Sequence, residues 1–145
     1  DPLPRRHEMA LSLGADAAVD PQAAEPLAGT ALGEGADVVI EAVGSRETAA
    51  QAVDWAAPGG TFVWFGVAPP GETVDVEPNL VFRKELTIRG SLVTPHTHER
   101  ALSLLASGQI DVSPLITRTI DLEALPQALS QAPGDEIKTV VTPTR

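Results

Sequence analysis

Gly35-Ala36-Asp37-Val38-Val39-Ile40-Glu41-Ala42-Val43-Gly44 is the stretch that decides the fold. Its centre is a near-continuous β-branched run, not an alternation of apolar and polar residues. Such a run suits a strand buried on both faces of a parallel sheet. Ser45 is placed to cap a helix from Arg46 to Ala57, on which Ala49, Val53 and Ala56 form an apolar stripe. Pro58-Gly59-Gly60 ends that helix, and Thr61-Phe62-Val63-Trp64-Phe65-Gly66 reads as a second buried strand. Two parallel strands need a crossover of this kind, so the segment is a βαβ unit.

Outward from this unit the pattern continues. Leu3 to Leu13 reads as a helix, with Met9 and Leu13 on one face and Gly14 as its stop. Ala17-Ala18-Val19 is short and apolar, a candidate strand ending at Asp20-Pro21, and the Ala-rich stretch from Gln22 to Leu32 is weakly helical around Pro26. Downstream, Asn79 to Lys84 has room for a helical turn or two, and Leu86 to Ser91 reads as a strand. Thr97 is expected to cap a helix that turns Ala101, Leu102, Leu104 and Leu105 inward and stops at Gly108. After Pro114 come a short strand near 116–120, a short helix near 126–131 and a last strand at 137–142. Strands alternating with helices imply an open α/β sheet. Functional groups in such sheets gather at the carboxyl ends of the strands. Those ends are Asp1, Asp20, Val43-Gly44, Phe65-Gly66-Val67 and Ser91-Leu92.

The 145 residues suffice for one domain with a core. Only 3% are aromatic, so that core must be built from Ala, Val, Leu and Ile. Twenty acids stand against 10 bases, and the net charge of -10 repels phosphate backbones and argues against a nucleic-acid partner. The absence of cysteine excludes disulfides and cysteine metal sites within the chain. No apolar run approaches the ~20 residues of a membrane span, and no signal peptide is visible, so the cytoplasm is the expected compartment. The chain opens on Asp1-Pro2 without an initiator Met, which fits a fragment or a processed product.

Several phrases, in order, resemble the medium-chain, zinc-type alcohol dehydrogenases, with the sorbitol and threonine dehydrogenases as the nearest pattern. They are "LGADAAVDP" at 13–21, "GADVVIEAVG" at 35–44, "PGGTFVWFGV" at 58–67, "ELTIRGS" at 85–91, "ALSLLASGQID" at 101–111 and "IKTVV" at 137–141. The second is the most specific. The resemblance implies an open parallel Rossmann-type sheet that lacks its first strand and G-x-G-x-x-G turn. It implies a partial dinucleotide-binding domain over 1–113 and, over 114–145, a short segment returning to a catalytic domain. That catalytic domain, with its zinc ligands and proton relay, would lie mostly upstream.

The resemblance also implies sites. Asp1 falls on the acidic position that takes the adenosine ribose hydroxyls, which favours NAD over NADP. Its plain alternative is a solvated terminal residue. Arg6 falls on a basic position beside the ribose, and together with Arg5 it keeps NADP open. Ala42, Val43 and Gly44 form a turn used near the ribose and nicotinamide. Backbone groups of Phe65, Gly66 and Val67, and of Ser91, Leu92 and Val93, hold the carboxamide; Phe65 could equally be core packing. Lys138 stands where a basic residue reaches the pyrophosphate, or else it is a surface lysine. No residue is a candidate catalytic base or metal ligand. His96, His98 and Glu99 form an H-x-H-E run without further ligands, His7 reads as a surface helix residue, and Glu41 reads as structural.

Two functions follow. The first is part of an oxidoreductase that moves a hydride between a small alcohol or polyol and a nicotinamide dinucleotide, the chain alone being inactive. The second is a non-catalytic nucleotide-binding or dimerisation module. The resemblance implies a homo-oligomer formed through strand 86–91.

Overall fold

A computed structural model of the chain describes all residues except 24, 93–95, 132–133, 135 and 144–145. Its contacts divide the chain into two compact units, Asp1–Thr94 and Pro95–Arg145.

The first unit begins with helix α1, Pro4–Ser12, whose Pro4 occupies a position where its missing N–H costs nothing. Strand β1 is Ala36–Glu41, helix α2 is Arg46–Asp54 and strand β2 is Ala56–Trp64. Helix α3, Pro78–Lys84, precedes strand β3, Thr87–Gly90. The three strands form one parallel sheet in the order β1-β2-β3, with Val39 opposite Phe62 and Phe62 opposite Ile88. The βαβ unit and the α/β class read from the sequence are therefore present. Ser45 caps α2 by accepting the Thr48 N–H, 3.2 Å away.

The core of this unit is Val39, Ala52, Val53, Ala56 and Phe62, with Trp64, Leu80, Leu86 and Ile88 packed around it. Phe62 and Trp64 stand two residues apart on β2 with their rings edge to face, centroids 4.8 Å apart. Lys84 ties α3 to the end of α2: its Nζ donates to the carbonyls of Asp54 and Ala56 at 2.9 and 2.8 Å.

Several expectations change. Burial of β1 alternates instead of covering both faces: Val39 and Glu41 are buried, whereas Val38 and Ile40 are exposed. α2 packs on β1 and β2, and α3 on β2, and their cluster takes in Val39 and Phe62. α2 stops at Asp54, not Ala57, because Ala56 already pairs with Ala36. Residues 57–60, including Pro58-Gly59-Gly60, then bulge out before pairing resumes at Val38–Thr61. Ala17–Val19 is not a strand. A strand needs a ladder, and this segment pairs with none of the described strands; the Val19 carbonyl accepts one bond, from the Asp1 nitrogen at 3.2 Å. The described residues from Gln22 to Leu32 are turns, held by the Asp20 side chain accepting from the Gln22 N–H and by Thr30 Oγ1 reaching the Leu27 carbonyl.

The second unit holds helix α4, Thr97–Ala106, strand β4, Ile116–Asp121, helix α5, Leu125–Ser130, and strand β5, Lys138–Thr142. β4 and β5 pair in parallel. Arg118 bridges to Glu136 at 2.8 Å, and Ile120 is buried. Thr97 is the first helical residue and not the cap; that position is taken by His96, in a left-handed conformation with no side-chain cap bond. The expected inward stripe of α4 is largely open: Leu104 is half-buried, while Ala101, Leu102 and Leu105 are exposed.

Candidate functional site: the carboxyl edge of the three-stranded sheet

In-register parallel strands end together, so β1 and β2 deliver Ala42-Val43-Gly44 and Phe65-Gly66-Val67 to the same edge. The two turns interlock. Gly44 has φ +81, and a side chain on it would meet the Val67 backbone at 2.6–2.7 Å. A Cβ on Gly66 would meet Glu41 Oε2 at 2.7 Å and Gly44 Cα at 2.8 Å, with the Gly44 nitrogen closer still. Ser91 joins the edge by donating its N–H to the Trp64 carbonyl at 3.0 Å.

Glu41 organises this edge. The residue is 4% exposed. Oε1 accepts the N–H groups of Val43 and Gly44 and the hydroxyl of Thr48, each at 2.8 Å. Its backbone carbonyl accepts from Phe65 and Gly66 at 2.9 and 2.7 Å. One acid thus clamps both turns to the N-terminal end of α2, which gives the structural role read from the sequence a physical content. Thr48 and Trp64 carried no sequence signal for this edge. Their involvement depends on a helix register and on a ring edge that only the packed fold supplies.

Outside this clamp the edge is apolar and open. Val43 is 72% exposed, Phe65 59%, Val67 88% and Leu92 85%. Phe65 thus stands outside the buried cluster of the first unit. Four apolar side chains thus stand exposed around the two glycine turns.

Asp1 and Arg6 form a second cluster. Asp1 Oδ2 pairs with Arg6 Nη1 at 3.1 Å, Oδ1 accepts from the Leu3 N–H at 2.9 Å, and His7 Nε2 contacts the Asp1 carbonyl. His7 is half-buried and engaged here, more than a bare surface residue. Lys138, in the second unit, opens β5 with its side chain exposed. Val93 lies outside the described residues. Among the described residues no group of three His, Cys, Asp or Glu is placed to hold a metal. None of their helices is long and apolar enough to cross a membrane.

The model of the zinc-binding dehydrogenase family matches residues 1–107. D-xylulose reductase A of Aspergillus oryzae is 34% identical over 112 residues, 76% of this chain and 31% of its own length. A protein of Sinorhizobium meliloti 1021, provisionally described as a zinc-binding dehydrogenase and solved bound to NADP, is 37% identical. It matches 99% of this chain and 44% of its own, with a TM-score of 0.91. An alcohol dehydrogenase from Thermus sp. ATN1 is 28% identical over 99% of this chain and 44% of its own, with a TM-score of 0.88. The chain spans about a third of the length of the curated relatives it matches.

Proposed function

The chain belongs to the zinc-binding dehydrogenase family, the medium-chain zinc-type alcohol dehydrogenases, and from that premise we propose that it supplies the nicotinamide-dinucleotide rest of an alcohol or polyol dehydrogenase. The observation that carries the reading is the open apolar edge of Val43, Phe65, Val67 and Leu92 over the interlocked glycine turns. When bound, a nicotinamide accepts or gives up a hydride. The chain's own residues bind and orient it. The apolar rim removes water from one face of the ring. Backbone groups of Phe65-Gly66-Val67 and Ser91-Leu92 face the carboxamide, and the turn Ala42-Val43-Gly44 admits the ribose.

At the far end, Asp1 takes ribose hydroxyls, held in place by Arg6. Its carboxylate favours NAD, since a 2′-phosphate would bring like charge beside it. Arg5, Arg6 and the NADP in the Sinorhizobium meliloti structure stand on the other side. For Lys138 the pyrophosphate role rests on the resemblance alone. The catalytic zinc and the substrate alcohol belong to the rest of the protein carrying this chain, in the cytoplasm. The domain division we propose is 1–113 and 114–145. β3 pairs with β2 alone among the described strands, and its other edge is the surface we propose for pairing with a second copy.

The test is kcat/KM for NAD and NADP in the longer protein and in its Asp1→Ala variant. A preference for NAD that shrinks by about tenfold or more on substitution supports the reading. A parent that prefers NADP, or a variant with unchanged preference, removes Asp1 as selector. No turnover with either cofactor favours the non-catalytic module.

A further inference from the structure

The Ala42-Val43-Gly44 turn is held by the Glu41 carboxylate, and that carboxylate is in turn held from α2. Glu41 Oε1 accepts three bonds, each of 2.8 Å, from the Val43 and Gly44 N–H groups and from the Thr48 hydroxyl. Oε2 has no hydrogen-bond partner among the described residues, and the side chain borders a cavity of about 220 Å³ that Trp64 also lines. The hydrogen bonds that orient the carboxylate therefore all come from the Oε1 side. Two of the three donors belong to the turn itself and move with it. Only the Thr48 hydroxyl ties the carboxylate to a separate element. Thr48 is half-buried in the first turn of α2, a helix anchored by the buried Ala49, Ala52 and Val53. Its hydroxyl has one proton and two acceptors to choose from, Glu41 Oε1 at 2.8 Å and the Ser45 carbonyl at 3.3 Å. The charged oxygen is the nearer and the stronger acceptor, so it takes the proton. Thr48 Oγ1 then accepts from the Ser45 hydroxyl, 3.0 Å away.

A displaced carboxylate does not act on Gly44 alone. A Cβ built on Gly44 would meet the Val67 backbone at 2.6–2.7 Å, so the two turns touch main chain to main chain and shift together. Val43 and Val67, both exposed, are carried on those turns. Resting on the dinucleotide reading above, we propose that Thr48 is a positioning residue for the cofactor. Its hydroxyl holds the Glu41 carboxylate in place, the carboxylate holds the Gly44 turn, and the turn sets the spacing of the apolar rim on which the dinucleotide lies. Thr48 acts through Glu41 and needs no contact with the cofactor itself.

The experiment titrates NADH into the ¹⁵N-labelled 145-residue chain and reads the midpoint from the Val67 and Leu92 amide signals, on the rim and away from the substitution. Thr48→Val keeps the branched shape and removes only the hydroxyl; Thr48→Ser keeps the hydroxyl. The expected result is a midpoint raised about fivefold in Thr48→Val, the size of effect a remote support carries, and restored to within about twofold of the parent in Thr48→Ser. Signal intensity separates positioning from folding. A purely structural loss weakens the folded signals and leaves their midpoint where it was, because the molecules that remain folded bind as before. That outcome would overturn the proposal, as would a Thr48→Val midpoint within about twofold of the parent or an equal loss in Thr48→Ser. Each of these leaves the dinucleotide reading standing. A parent that shows no saturating shift at Val67 and Leu92 would overturn that reading first, and this proposal with it.

Discussion

Replacing Gly66 by alanine adds one methyl group at the point where the two carboxyl-edge turns interlock. That methyl would stand 2.7 Å from Glu41 Oε2 and 2.8 Å from Gly44 Cα, and closer to the Gly44 nitrogen. The first of these is about 0.8 Å inside an ordinary contact of ~3.5 Å. Two of the three obstacles are backbone atoms, so no rotamer change relieves the overlap. Overpacking of this kind costs about 1–3 kcal/mol. Moving Gly44 also breaks its 2.8 Å bond to the Glu41 carboxylate, a charge-assisted bond whose loss adds about 1.5–3 kcal/mol. The expected total is about 3 kcal/mol or more, a large share of the stability of a chain this size. Gly90 is the internal control: a Cβ there meets nothing within 4 Å and its φ needs no glycine. Urea unfolding followed by tryptophan fluorescence reports on the first unit, which holds both Trp55 and Trp64. The midpoint should fall by roughly 1 M or more for Gly66→Ala and stay in place for Gly90→Ala. A Gly66→Ala variant within about 0.5 kcal/mol of the parent, or a Gly90→Ala variant equally weakened, would refute the interlocked-turn account.

Two further outcomes follow from named contacts. Glu41→Ala removes the acceptor shared by Val43, Gly44 and Thr48 and should cost about 2–4 kcal/mol, well beyond Glu41→Gln; equal losses in the same urea assay would mean that the carboxylate charge, and not the clamp, matters. The Glu136 carboxyl is held below the usual carboxylate range, first by its own backbone amide and then by Arg118. A lowered folded pKa contributes stability above the unfolded value of about 4.3 and loses it as pH falls through the folded one. Glu136→Gln should therefore lower stability at pH 7 and flatten the decline below about pH 4.5; parallel acid limbs in parent and variant would contradict this.

What the sequence made legible was local. Ser45 and the Ala49–Val53 stripe write α2 in one stretch, and the β-branched runs beside it write the two parallel strands. The segment from Gln22 to Leu32 misled because alanine content signals helix, while Pro26 and Gly29, with φ +74, break it into turns. The two-faced burial expected of β1 belongs to its composition, yet Val38 and Ile40 stand exposed because α2 and α3 cluster about Val39 and Phe62. Among the site residues, Val43, Gly44, Phe65, Gly66, Val67 and Ser91 meet because strand ends in one sheet must meet. The Lys84 cap of α2, some thirty residues away in sequence, and the Trp64 indole against the cavity depend on tertiary packing that no local pattern encodes.

The central claim is that the carboxyl edge of the three-stranded sheet rests a nicotinamide dinucleotide. Its most direct test is a titration of the ¹⁵N-labelled chain with NADH, reading backbone amide shifts residue by residue. Saturating shifts are expected at Val43, Gly44, Gly66, Val67, Ser91 and Leu92, with Gln51 and Ala52 on the covered helix unmoved. Shifts absent from that edge, or concentrated on the face of α2, would contradict it.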